Sequence, residues 1–133
     1  MDDNIFKKLR VKPGMTALLF HVPEEYPHYE EFSSTQNTQA EFVHLFVASQ
    51  MEFRARFEKV ASAVADSGLF WLSYPKSTKK QPYDINRDSI WDLLISRGWH
   101  PVSQVSLGDT WSAIRVKRNE PGVVYERPNN IKR

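Results

Sequence analysis

The 133-residue chain has no cysteine, only 5 glycines, and no apolar run approaching the roughly 20 residues that span a bilayer. Lack of cysteine excludes a disulfide framework, a thiolate nucleophile and a cysteine metal site. It suits a reducing interior, and the cytoplasm is the expected location. Residues 1–10 alternate acid and base instead of offering an apolar leader core, so neither secretion nor membrane insertion is expected. No glycine falls between Gly14 and Gly68, which removes the Gly-x-Gly-x-x-Gly turn that lets a backbone approach a dinucleotide phosphate. The formal net charge of +2 is too small to imply a polyanionic partner, and nucleic acid is disfavoured except through local basic patches.

What is present is enough for one core, since 41% of the residues are hydrophobic and a chain of this length buries roughly two-thirds of its unfolded surface. Pro13-Gly14 marks a turn. The mostly apolar run that follows, stopped by Pro23, predicts a buried strand over 16–22. Residues 23–39 turn acidic and then polar, with Glu24, Glu25, Glu30 and Glu31 ahead of a Ser/Thr/Gln/Asn stretch, and read as a loop with at most a short helix. A second apolar strand is expected over 42–48, and Ser49 is placed to cap a helix. That helix carries Phe53, Phe57, Val60 and Val64 at intervals of four, three and four, and Gly68 is expected to close it as a left-handed cap. A third strand over 69–73, a polar loop over 74–83 and a helix starting at Asp84 or Asn86 follow. That helix ends at Gly98, and strands over 100–106 and 110–117 meet in a short hairpin at Leu107-Gly108-Asp109.

Strands separated by helices pair in parallel, and a final hairpin adds an antiparallel strand. The fold class is therefore α/β, a three-layer Rossmann-like open sheet of about five strands, mostly parallel with a C-terminal antiparallel hairpin. Residues 1–118 form the single domain, and 119–133 read as a mobile basic tail.

Open α/β sheets bind ligands beyond the carboxyl ends of their strands. Lys76, Lys79, Lys80 and Arg87 fall there with the start of the helix at Asn86, whose free amides favour an anion. The ligand-binding set expected from the residues is Tyr74, Lys76, Asn86, Arg87, Asp88, Trp111 and Arg115. Trp111 and Arg115 share a strand face, either as an indole over a guanidinium or as a polar pocket wall. Each member also has a plain structural reading: solvated lysines in a surface loop, Asp88 favoured by the first turn of a helix, Arg87 bridging to a neighbouring acid. The pair His21 and His44 lacks a third metal ligand and reads as core or edge histidines. Trp71 and Trp91 read as core, and Ser73 lacks the setting of an exposed nucleophile. No catalytic residue, metal ligand or cofactor is assigned.

Tyr74-Pro75-Lys76, the run from Asp84-Ile85-Asn86 through Arg87-Asp88-Ser89-Ile90-Trp91, Pro101-Val102-Ser103-Gln104-Val105 and Asp109-Thr110-Trp111-Ser112-Ala113-Ile114-Arg115 carry a resemblance. They are similar to an uncharacterised bacterial family of small Rossmann-like proteins, over about Leu9 to Arg118. The resemblance implies the fold and a bacterial, cytoplasmic setting, and brings no functional residues. In its order of elements the chain also resembles the C-terminal half of class I methyltransferases. Those enzymes hold the methionine moiety of their cofactor at a Gly-rich turn after the first strand, where this chain has Pro23-Glu24-Glu25-Tyr26.

These readings lead to a non-catalytic module that binds a small anion or a protein partner. The alternative is a reduced methyltransferase-like or nucleotide-using enzyme, with its pocket near 23–26, 74–76 and 86–88. A second alternative is weak nucleic-acid association through the lysine loop and the tail.

Overall fold

A computed structural model describes residues 3–26 and 38–126. The order of elements is α1 (Asp3–Lys8), β1 (Ala17–Phe20), β2 (Ala40–Phe46), α2 (Gln50–Ala61), β3 (Val64–Pro75), α3 (Arg87–Ile95), β4 (Trp99–Ser106) and β5 (Trp111–Arg118). They form a five-stranded open sheet in the order β1-β2-β3-β5-β4. β1 with β2 and β2 with β3 are parallel, whereas β5 runs antiparallel to both β3 and β4. The sheet is mixed and carries the expected antiparallel hairpin: four of its five strands run in one direction, and β5, inserted between β3 and its own hairpin partner, contributes both antiparallel pairings.

Both longer helices cover one face. Phe53, Phe57 and Val60 of α2 and Ile90, Leu93 and Leu94 of α3 pack with Val43, Leu45, Phe70, Leu72, Ile114 and Val116 of the strands. The start of each helix follows from its sequence. Glu52 N–H donates to the Ser49 hydroxyl at 3.1 Å. Ser89 N–H donates to Asn86 Oδ1 at 2.9 Å, while Asn86 N–H donates to the Ser89 hydroxyl at 2.9 Å, a reciprocal cap.

The end of α2 corrects the expectation at Gly68. The helix stops at Ala61: Ser62 N–H donates to Glu58 O at 3.2 Å, Ala63 N–H donates to Val60 O at 2.9 Å, and the Ser62 hydroxyl donates to Lys59 O. Val64 then pairs with Ala40 as the first residue of β3. The register next resumes at Phe42 and Leu69, so residues 65–68 bulge opposite Glu41. Ser67, not Gly68, takes the left-handed conformation, with φ 62°. Gly68 is needed for closeness: a Cβ there would lie 2.9 Å from Ala65 O.

The other face is closed by α1 and the irregular chain after it. Leu9 is fully buried there, with Ile5, Phe6, Val11, Met15 and Tyr26 packed around Phe42, Phe46, Trp71 and Trp111. The charge alternation of residues 1–10 concealed this short helix, since only Ile5, Phe6 and Leu9 supply its apolar side. The polar stretch at 33–37, Glu30, Glu31 and His28, and residues 127–133 of the tail lie outside the described residues. Residues 119–126 turn back on β4: His100 Nδ1 lies 2.8 Å from Asn119 Oδ1, and its ring stacks on Tyr125 at 3.9 Å. No helix among the described residues is long and apolar enough to cross a membrane.

Candidate functional site

The carboxyl ends of β1, β2 and β3 point to one end of the sheet, and the two sides of that end differ. On the side away from α2 and α3, β1 ends at Phe20 and the chain breaks at His21, which is exposed with φ 61°. Tyr26 N–H closes the next turn on Pro23 O at 3.0 Å. This turn carries Glu25 to the start of β5, where Trp111 Nε1 donates to Glu25 Oε1 at 2.7 Å. Tyr26 reaches across to donate to Leu107 O at 3.4 Å.

Trp111, the donor to this carboxylate, belongs to an aromatic wall. Trp111 meets Phe46 edge-on at 5.4 Å, Tyr26 lies 6.2 Å from Phe46, and Phe46 stacks on His44 at 4.2 Å. Burial, then the neighbouring Glu25 charge, raises the Tyr26 pKa. His44 is fully buried, its Nε2 2.6 Å from the Ser73 hydroxyl. Burial drives its pKa down to about 3, so the ring is neutral at physiological pH. It is the hydrogen-bonded core histidine expected from its strand. Among the described residues no group of three or more His, Asp or Glu side chains is arranged to hold a metal ion.

On the helix side, Tyr74 ends β3 with its hydroxyl accepting from Gln104 Nε2 at 3.1 Å. Burial raises its pKa against the opposing effects of Ser112, Arg87 and Gln104. Arg87, Trp91, Pro101 and Gln104 line a cavity of about 170 Å³ beside it. The buried Trp91 Nε1 has no hydrogen-bond partner among the described residues.

The seven residues expected to bind a ligand therefore do not form one site. Tyr74, Asn86, Arg87 and Asp88 come together where β3 meets α3. Lys76 lies apart from them, its ammonium donating to Ser106 Oγ at 2.8 Å and Gly108 O at 2.6 Å, which ties it to the hairpin. Trp111 faces the opposite side of the sheet. Arg115 shares that face but lies about 13 Å further along β5, four residues at strand rise, opposite Trp71 in the register. The guanidinium that does cover an indole is Arg118, 4.4 Å from the centre of the Trp99 ring. In the sequence Glu25 is one of a run of carboxylates with Glu24, Glu30 and Glu31. Its partner is 86 residues away, so no local signal pointed to the pair.

No family model and no curated protein matches the chain. Among solved structures it is similar to the ribosomal protein L11 methylase from Lactobacillus delbrueckii subsp. bulgaricus. The TM-score is 0.54 at 10% identity, over 86% of this chain and 75% of that one. The chain shares the fold of that methylase. It is also similar to DhpI in complex with SAH (TM-score 0.47, 15% identity, 72% of this chain) and to LepI in complex with SAM (0.45, 9%, 87%). It spans only 60% and 39% of those two chains. The fold shared with the L11 methylase overturns the expectation of a non-catalytic anion-binding or protein-interaction module. The methyltransferase-like alternative accords with them.

Proposed function

We propose that this chain is a reduced methyltransferase-like enzyme domain that takes an S-adenosyl compound at the carboxyl ends of β1 and β2. The observation that supports this most is the Glu25 carboxylate, held by Trp111, whose ring meets Phe46 beside Tyr26, at the end of a methylase-like sheet. A sulfonium is a cation, and aromatic faces with a nearby carboxylate attract cations. The donor set thus fits the charged centre of such a ligand. The turn at Val22-Pro23-Glu24-Glu25 has no glycine for close backbone approach, so the ligand's amino-acid end would have to be held by side chains.

When bound, S-adenosylmethionine supplies an electrophilic methyl group. The chain's own part is to orient and to exclude water. Phe46 and Trp111 give a rigid apolar floor, Glu25 sets the charge, and Tyr26 closes the side by its bond to Leu107. His44 is not a proton acceptor at neutral pH, because its ring lies under Phe46, is engaged by Ser73 and stays neutral down to about pH 3. The reading assigns no general base, and it suits an acceptor atom that carries no proton or loses it to water.

Calorimetric titration with S-adenosylmethionine and S-adenosylhomocysteine tests the proposal. The sulfonium compound should bind more tightly than the thioether, and Glu25→Gln should remove most of that difference by deleting one charge near the cation. Absence of binding by either compound would sink the reading. Equal affinities would leave the cation argument without support.

A further inference from the structure

The opposite end of the sheet carries a second concave site. Residues 65–68, Trp99 and the last residues of β5 enclose a cavity of about 390 Å³, within the range of small-molecule pockets. Arg115, Lys117 and Arg118 line it against one carboxylate, Asp66. Among the described residues neither the half-buried Arg115 nor the exposed Lys117 makes an ion pair or a side-chain hydrogen bond. The nearest other carboxylate on β2, Glu41, is engaged by Thr16, whose backbone N–H donates to it at 3.2 Å.

Backbone strain gathers at the same end. Ser67 on the bulge and Arg10 after α1 both have positive φ, at 62° and 63°, in a region that costs a non-glycine residue energy. Arg10 stands close enough to Arg115 for the two charges to repel. Burial first, and that repulsion second, lower the Arg115 pKa. Two like charges held near each other form an arrangement that a bound anion would relieve.

We propose that this pocket at the amino ends of the parallel strands binds a small organic phosphate, with Arg115 as its principal ligand and Lys117 and Arg118, which line the same cavity, completing the charge. The site is separate from the S-adenosyl site, and it includes none of Tyr74, Lys76, Asn86, Arg87 or Asp88. It does not depend on the methyltransferase-like reading.

Inorganic pyrophosphate is the probe. Calorimetry on the full chain should give saturable binding, weakened about tenfold or more by Arg115→Gln, which deletes charge-assisted hydrogen bonds. Glu25→Gln should leave pyrophosphate affinity unchanged, and Arg115→Gln should leave S-adenosyl affinity unchanged, so the two sites succeed or fail separately. Without ligand, Arg115→Gln should melt at or above the temperature of the parent chain, because it removes a repelled charge. Should that variant not fold, Arg118→Gln and Lys117→Gln must each weaken pyrophosphate binding. No binding to the parent chain, or binding indifferent to these substitutions, would overturn the proposal. Tighter binding of duplex DNA than of pyrophosphate, collapsing with salt, would also overturn it and make the patch a polyanion surface.

Discussion

Under α2 and α3 the centre of the sheet is sealed by rings and branched aliphatics, and the polar groups, Tyr74 and Ser112, stand toward its end. Phe57 stacks on Phe53 at 4.8 Å and on Phe70 at 5.7 Å, with Trp99 edge-on at 5.9 Å. The opposite face is sealed by a six-residue helix and irregular chain, and it keeps polar atoms in its depths: His44 on Ser73, and Trp71 Nε1 donating to Leu9 O at 2.9 Å. The first face needs only the right apolar volume in the right period. The second depends on particular hydrogen bonds, because a short helix and a loop bury too little to hold themselves down. The candidate S-adenosyl site lies on that second face, at the place where specific bonds and not bulk packing set the geometry.

The contrast predicts different kinds of sensitivity. The largest effect is expected from Phe57→Ala, which opens a void among three rings and should cost about 3–5 kcal/mol in denaturant unfolding. Trp71→Phe comes next. It strands the buried Leu9 carbonyl, worth about 1–3 kcal/mol, and leaves a small void besides. Hydrogen exchange should locate the second loss: amides of residues 9–11 should lose protection before those of α2. Global loosening without that local signature would break the contrast between the faces.

His44 makes the second face sensitive to acid. Its pKa is about 3 when folded and 6.5 when exposed, so between these values the unfolded state binds the extra proton. Stability is therefore fully present above about pH 6.5 and falls as pH drops toward 3, by up to about 1.4 kcal/mol per pH unit. In His44→Gln that part of the slope should vanish from urea titrations run across the window. An unchanged slope would mean that His44 does not set the acid response.

The helix-covered face was readable because its determinants are local. Ser49 and Asn86 announce the helix starts, and Phe53, Phe57 and Val60 repeat at helical spacing. The boundary at Gly68 misled because Val64 continues the helical spacing, while Ala40, 24 residues earlier, claims it as a strand partner. Insertion of β5 between β3 and β4 was hidden too, since a hairpin states only that its strands adjoin. The site was least readable. Trp111–Glu25 and Lys76–Gly108 join residues 86 and 32 apart, and nothing in either neighbourhood encodes the other. Lys76 illustrates the cost: as a loop lysine it suggests an anion site, and only the returning hairpin shows that its charge is already used.

The smallest effect is expected from Trp111→Phe, the same loss of an indole N–H as in Trp71→Phe but with a different acceptor. Leu9 O is buried, whereas Glu25 is exposed and regains water when its donor goes. The cost should be about 1 kcal/mol, the net worth of a hydrogen bond whose partner is not stranded. Binding should respond in the opposite proportion. Released from Trp111, Glu25 is no longer fixed beside the aromatic wall that Trp111 forms with Phe46, so sulfonium affinity should fall even though the chain remains folded. A fall in stability as large as that of Trp71→Phe would mean that Trp111–Glu25 is a structural clasp of the same kind as Trp71–Leu9, and the carboxylate would lose its claim to a ligand.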